Sequence, residues 1–339
     1  MKKTLFLVVI FAAFAGMAFW LVTRSDDKTT VLATERNFAI SDVQQIEKIF
    51  LADRDGGQIT LVRDGESWSL NDRYRANSNV VDNLLQTLHR VRVRYTPARA
   101  ATENIVRDIA TNNITVEVYG HRNRLLKRFY VGGVTNDEGG TYMMMDGAEQ
   151  PMVTHIPGFD GTLRVRFPTV EMKWRDKSIF AETPTAIQSV QIDYPKQKNK
   201  SFRLDRTNGT FTIRPFYNTI GVQSRPVASG TAQQFLQNFD RLIGENFVNE
   251  LAGKDSIRQQ LPFAIVTVEE RSGKKKEVRL FPIFKRNRQG EYILDANGQP
   301  FAEKYFADVN GADFMLTQHR LMRKILWTYE GFLNESSGS

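Results

Sequence analysis

IEKIFLADRDGGQITLVRDGESWSL, residues 46–70, is the stretch whose reading decides the fold. Ile46, Ile49 and Leu51 precede the cluster Asp53-Arg54-Asp55-Gly56-Gly57, and Ile59, Leu61 and Val62 follow it. Successive side chains of a strand point to opposite faces, so two apolar runs around an Asp/Gly cluster predict a β-hairpin. Asp64-Gly65-Glu66 predicts a second turn, and Trp68 and Leu70 alternate on a third strand. Asn77-Ser78-Asn79 then offers N-caps for a helix that carries Val80, Val81, Leu84, Leu85, Leu88 and Val91 at helical spacing.

Beyond that helix the unit continues through Arg90, Arg92 and Arg94, interleaved with Val91, Val93 and Tyr95. Pro97 opens a linker, and Ile105, Val106 and Ile109 mark a short second helix. Strands are expected at Ile114–Tyr119, Leu125–Val131, Thr141–Met145 and Met152–Ile156. A helix from about Gly161 to Phe180 is expected to close the unit, with Pro168 near its start or at a bend.

The same order then recurs. Ile187, Val190 and Ile192 answer Ile46, Ile49 and Leu51. Phe202–Leu204, Asn208-Gly209 and Phe211–Ile213 answer the rest of the opening stretch. Phe235, Leu236, Phe239 and Leu242 repeat the apolar helix face, Ser256-Ile257 and Leu261 fall at the short second helix, and Ala264–Val268 answers Ile114–Val118. Val278–Ile283 is the next strand, Tyr292–Leu294 the counterpart of the Met-rich strand, and Tyr305–Ala307 the strand after it. A last helix is expected from about Gly311 to Phe332. The offset between copies is about 141 residues at the start and about 151 by the helix, the difference lying in Phe216–Gly230. Two copies of one unit explain the chain better than one irregular domain. The join is expected near Ala181–Ala186, around Pro184.

Ahead of both copies stands LFLVVIFAAFAGMAFWLV, Leu5 to Val22, without a charge or a strongly polar side chain. A helix from Thr4 to Thr23 would be roughly 30 Å long, the hydrocarbon thickness of a bilayer. Leu5, Phe6, Leu7, Val8, Val9, Ile10, Phe11, Phe14, Phe19, Trp20, Leu21 and Val22 are its membrane-facing candidates. Lys2 and Lys3 favour a cytoplasmic N-terminus, which would put the rest of the chain across the membrane. A cleaved signal peptide is the rival reading, with Gly16-Met17-Ala18 as its cleavage site. Phe19–Val22 continue the apolar run past that site, which favours an uncleaved anchor. With no cysteine, lipoprotein acylation, disulfides, thiolate metal sites and a cysteine nucleophile are all excluded.

Composition bounds the body. Of 339 residues, 41% are hydrophobic and 25% charged, the balance of a globular chain. The formal charge of +8 becomes +6 without Lys2 and Lys3, a modest excess. The expected location removes nucleic acid from its partners and leaves an anionic membrane surface, lipopolysaccharide or an acidic protein.

The hairpin with Trp68-Ser69-Leu70, the helix Val80–Val91, the segment from Val131-Gly132 through Thr141-Tyr142, and Trp174-Arg175-Asp176-Lys177-Ser178-Ile179-Phe180 before a new strand together resemble the domain-of-unknown-function family 4340. The resemblance covers most of residues 46–330. It implies a membrane-anchored bacterial envelope protein, of a kind often encoded near ABC-type export or gliding-motility components. It supplies no catalytic residues.

Candidate chemistry is sparse. Asp53–Gly57 faintly suggests a calcium loop, but its flanks are strands and the further oxygen ligands are missing, so a hairpin turn is preferred. His89, His121, His155 and His319 lack the paired spacing of a zinc site. Gly132-Gly133 and Gly139-Gly140 enclose acidic residues between two strands, unlike a phosphate loop that opens a helix. Glu269 and Glu270 face opposite sides of a strand. Of Met143, Met144 and Met145, at least one side is expected in the core. The basic clusters Lys196–Lys200, Lys274–Lys276 and Lys285–Arg288 fall in expected hairpin tips. Arg90, Arg92 and Arg94 would share a face if extended, either as a charge-guarded edge strand or as a docking strip for an acidic partner.

The reading is therefore an α+β protein: one N-terminal transmembrane anchor (1–23), a tether (24–45), two related units of mostly antiparallel sheet packed on helices (46–182 and 183–332), and a disordered tail (333–339). It is expected to sit in the bacterial inner membrane with its bulk in the periplasm, without enzymatic activity, cofactor or metal. Its expected role is a scaffold or adaptor for envelope proteins of an export, secretion or motility machine. The alternative is a module binding an envelope glycan or lipid, through a cleft using Trp68, Tyr142 or Trp174.

Overall fold

The computed structural model describes residues 35–217, 224–296 and 298–337. The expected anchor, Leu5–Val22, lies outside the described residues, as does the first half of the expected tether, residues 24–34. Among the described residues no helix is long and apolar enough to cross a membrane. The chain divides into two compact units, after Asp176. The division falls a few residues ahead of the expected join because Ser178–Phe180 pairs with Leu242-Ile243 and so belongs to the second unit.

In the first unit the elements run β1 (Lys48–Asp53), β2 (Gln58–Asp64), β3 (Ser67–Leu70), β4 (Tyr74–Arg75), α1 (Ser78–Arg90), β5 (Arg92–Tyr95), α2 (Arg99–Asn112), β6 (Ile114–Gly120), β7 (Arg124–Val134), β8 (Thr141–Met145), β9 (Met152–His155) and the short helix α3 (Glu171–Trp174). The strands form one nine-stranded sheet in the order β4-β3-β2-β1-β6-β7-β8-β9-β5, with every neighbouring pair antiparallel. Alternation places Ile49, Leu51, Ile59, Leu61, Leu70, Val116, Val118, Phe129 and Val131 on one buried face. Helix α1 covers that face with Val81, Leu84 and Leu88, all fully buried, each contributing about 1.5–3 kcal/mol by leaving water. It starts where Asn77 accepts from the Asn79 N–H at 3.1 Å. Helix α2, longer than expected, packs over β7 and β8 instead. Gly132 makes that approach possible: a Cβ there would stand 2.8 Å from Ile109 Cγ1.

The second unit repeats the plan: β10 (Ser178–Phe180), β11 (Ile187–Asp193), β12 (Phe202–Thr207), β13 (Thr210–Pro215), β14 (Arg225–Val227), α4 (Ser229–Gln237), β15 (Leu242–Ile243), β16 (Asn246–Phe247), α5 (Lys254–Arg258), β17 (Ala264–Glu270), β18 (Lys275–Phe284), β19 (Ala302–Val309), β20 (Asp313–Gln318), α6 (His319–Met322) and α7 (Tyr329–Ser337). Its large sheet runs β14-β13-β12-β11-β17-β18-β19-β20-β16, position for position the order of the first. The pair β10–β15 is an addition. The core centres on Phe235, whose ring meets Phe239, Phe332 and Trp327 at centroid distances of 5.4, 5.2 and 5.1 Å. On the sheet, Asp308 is buried between Arg258 (2.8 Å) and Arg279 (3.8 Å), which ties α5 to β18 and β19.

Several expectations are corrected. The helix expected from Gly161 to Phe180 is a 3₁₀ turn at Leu163–Arg166, the single turn α3 and the strand β10. Pro168 disfavours a helical Phe167, and the buried Trp174 ring closes the loop by donating Nε1–H to the Pro168 carbonyl at 2.6 Å. The helix expected from Gly311 to Phe332 begins instead as β20, whose whole length pairs with β19, before two short helices. The counterpart of the Met-rich strand is β19, not Tyr292–Leu294, which lies in the β18–β19 connection with only isolated bridges. Residues 333–337, expected in the tail, continue α7.

Candidate functional site

The order of the first sheet leaves β5 at one end. It exchanges ladder bonds with β9 alone, Arg92 facing His155, Val93 facing Thr154 and Tyr95 facing Val153. The register slips between Val93 and Tyr95, so Arg94 is the extra residue of a bulge. Tyr95 is 42% exposed, and its neighbours Arg92 and Arg94 are exposed too.

The three arginines do not form the single extended face that the sequence suggested. Arg90 is the last residue of α1 and donates Nη2–H to the Pro157 carbonyl at 3.1 Å. Arg92 turns back on the helix end, donating Nη1–H to the carbonyls of His89 (3.0 Å) and Val91 (2.9 Å). This places a cation at the negative end of the helix dipole. Arg94 donates to the Gly139 carbonyl at 2.7 Å and lies 3.6 Å from the Asp137 carboxylate. Glycine at 139 leaves room for this guanidinium: a Cβ there would meet Arg94 Nη1 at 2.1 Å, and the arginine would have to shift. The Thr135 hydroxyl, with the Gly139 N–H and the Arg94 guanidinium, holds the Asp137 carboxyl below the usual carboxylate range.

Two clefts flank this edge. The larger, about 820 Å³, is bounded by Arg94, the Asp137–Gly139 turn and the loop from His155 through Gly161, with Phe159 as its aromatic wall. The smaller, about 340 Å³, brings Arg36, His89 and Arg92 together with no acidic residue in its lining. The residue run 90–95 alone flagged this region. The two loops that complete the large cleft carried only glycines as a signal, and the bulge at Arg94 carried none.

A family model for a domain of unknown function, DUF4340, matches residues 68–257. The chain belongs to this family. No curated protein and no solved structure matches it. The match to DUF4340 runs from β3 of the first unit into α5 of the second, so it crosses the division after Asp176.

The other candidates in this DUF4340 chain resolve into local roles. Asp53 accepts from the N–H groups of Asp55 (3.0 Å) and Gly57 (2.8 Å) and from the Thr169 hydroxyl, as a hairpin turn requires. His89 approaches the Ile40 carbonyl at 3.2 Å, His121 the Glu47 carboxylate at 3.1 Å, and His319 the Tyr305 hydroxyl at 2.9 Å. His155 ends β9. Among the described residues no group of three His, Asp or Glu side chains is placed to hold a metal. Met143 is core, whereas Met144 and Met145 are half-buried. Trp68 and Trp174 are buried, so neither is available to stack on a glycan; Tyr142 is half-buried. Lys274 and Lys276 are not simply solvated: Lys276 Nζ lies 2.9 Å and Lys274 Nζ 3.7 Å from the buried Glu182 carboxylate.

Proposed function

We propose that this protein is a non-enzymatic scaffold or adaptor, held in the bacterial inner membrane by Leu5–Val22 with its two sheet units in the periplasm. Its partners would be envelope proteins of an export, secretion or motility machine. The observation that carries the reading is the open end of the first sheet. An end strand with unpaired backbone groups is a template for strand addition by a partner segment. Around β5, the exposed Tyr95 supplies contact area. Arg36 and Arg92, in the smaller cleft that no acid lines, supply positive charge, so an extended acidic segment is the partner chemistry that fits on that side of β5. The apolar, charge-free run of the N-terminal segment supports the membrane location.

A photoreactive amino acid at Val93 or Tyr95 in the full chain, activated in cells before mild detergent extraction, tests this. Mass spectrometry is expected to recover a stoichiometric envelope component joined at β5. Recovery of the protein alone, or only with glycan or lipid, overturns the scaffold reading.

A further inference from the structure

The repeat allows each position of one unit to be compared with its counterpart in the other. Arg63 faces Trp68 in the β2–β3 ladder, and Arg206 faces Phe211 in the β12–β13 ladder. Each guanidinium lies over the facing ring, at 4.7 and 4.8 Å from the centroid. Each also ties down the chain entering its unit. Arg63 donates to the carbonyls of Ile46 (2.8 Å) and Val43 (3.2 Å), and Arg206 to that of Thr185 (2.8 Å). The two arginines are the same element of the plan.

Their surroundings differ. Lys48 faces Tyr119 in the first unit where Ser189 faces Glu269 in the second. Glu47 and Gln188 immediately precede the first of each pair, and His121 and Arg271 follow two residues after the second. In the first unit the Glu47 carboxylate meets His121 Nδ1 at 3.1 Å. In the second an amide replaces that carboxylate and a guanidinium replaces the imidazole. Arg206 and Arg271 now line one cleft, and the residue in the Glu47 position is the uncharged Gln188, whose Nε2–H donates to the Arg206 carbonyl. Burial, and then the like charge of Arg271, push the Arg206 pKa down.

A cleft of about 360 Å³ opens at this point, lined by Gln188, Arg206, Thr207, Asn208, Gly209 and Arg271, with no carboxylate among them. The nearby acids are engaged elsewhere. Glu270 lies 3.5 Å from Lys274, and Asp205 pairs with Arg203 (2.7 Å) and Arg214 (3.2 Å).

We propose that this cleft is an oxyanion site, in which an external phosphate group sits between Arg206 and Arg271, where the first unit has Glu47 beside His121. One carboxylate matches the fork of a single arginine. A phosphate carries close to two charges at neutral pH and three strong acceptor oxygens, which suits the two arginines that line one cleft from separate strands. The volume is at the lower end of the range for small-ligand sites, so it takes a phosphate with a short attached group. The proposal concerns the second unit and does not rest on docking at β5.

The test is calorimetric titration of the full chain in non-ionic detergent with inorganic phosphate, against chloride at matched ionic strength. Saturable phosphate binding is expected. Gln188→Glu restores the internal carboxylate and Arg271→Gln removes one charge, and each is expected to weaken binding about tenfold or more. Arg271→Gln leaves Arg206 and its hold on Thr185 in place, whereas Gln188→Glu also gives up the bond from Gln188 Nε2–H to the Arg206 carbonyl. Urea midpoints are therefore read beside binding, and weakened binding in Arg271→Gln at an unchanged midpoint reports on the anion and not on folding. A soluble short-chain phosphatidic acid, compared with short-chain phosphatidylcholine, separates the sources. Tighter binding of phosphatidic acid than of inorganic phosphate identifies a lipid headgroup, and equal binding identifies the free ion. Absence of saturable binding in the unsubstituted protein, or unchanged binding in both variants, overturns the proposal.

Discussion

At the scale of single residues, charge is used mainly to stitch loops to sheets. Asp53 is an instance. Its carboxyl is held below the usual carboxylate range chiefly by the Thr169 hydroxyl, helped by the Gly57 and Asp55 N–H groups and opposed by burial. A folded-state pKa below the unfolded value of about 3.9 means a contribution present above that value and lost as pH falls through the folded one. Asp53→Asn is expected to cost on the order of 1 kcal/mol at neutral pH, because a charged acceptor becomes a neutral one. As pH falls through the lowered folded-state pKa the difference from the unsubstituted protein should shrink and vanish, since both then carry a neutral group. Urea midpoints measured across that range check it; a difference that persists in acid would mean the carboxylate charge is not what matters. The residue sequence suggested this turn but gave no sign of Thr169, which lies far along the chain and arrives only through folding.

At the scale of elements, regular patterns were read correctly where one face is buried and misread where a short apolar run suits two periods. Helix α1 is the first kind. Val81, Leu84 and Leu88 repeat at helical spacing and all are buried. Leu84→Ala is expected to cost about 2–5 kcal/mol through lost burial and a cavity, while Gln86→Ala on the exposed side should stay within about 0.5 kcal/mol. Equal costs in chemical denaturation would remove the assignment of that face. The segments 161–180 and 311–332 are the second kind. Phe314, Met315 and Thr317 are buried in β20 because β19 offers six ladder partners, a non-local benefit that no local window contains. The edge position of β5 was one of the two readings of the interleaved Arg and Val, and β5 does end its sheet, but neither the bulge nor the fold-back of Arg92 could be read from residues 90–95.

At the scale of the whole molecule, the two units have separate cores, one running from Phe38 to Trp174 and the other from Ile179 to Phe332. Phe235→Ala removes the centre of the second aromatic cluster and is expected to cost about 3–5 kcal/mol there. Amide exchange in the full chain should then quicken in β11–β13 and β17–β20 while β1, β2, β6 and β7 keep their protection. Uniform acceleration in both units would show a single cooperative core instead.

The residue sequence by itself determined the unit of construction and its duplication. Hairpin turns, period-2 strands and one amphipathic helix are local signals, and their recurrence in the same order needs no tertiary knowledge. Only the tertiary structure decided between the two readings of β5, gave the full strand order of each sheet, and brought Arg206 and Arg271 to one cleft beside Gln188. Those facts depend on the pairing of strands distant in sequence. The long-range register brings Gln188, Arg206 and Arg271 together, just as it brings Glu47, Arg63 and His121 together in the first unit.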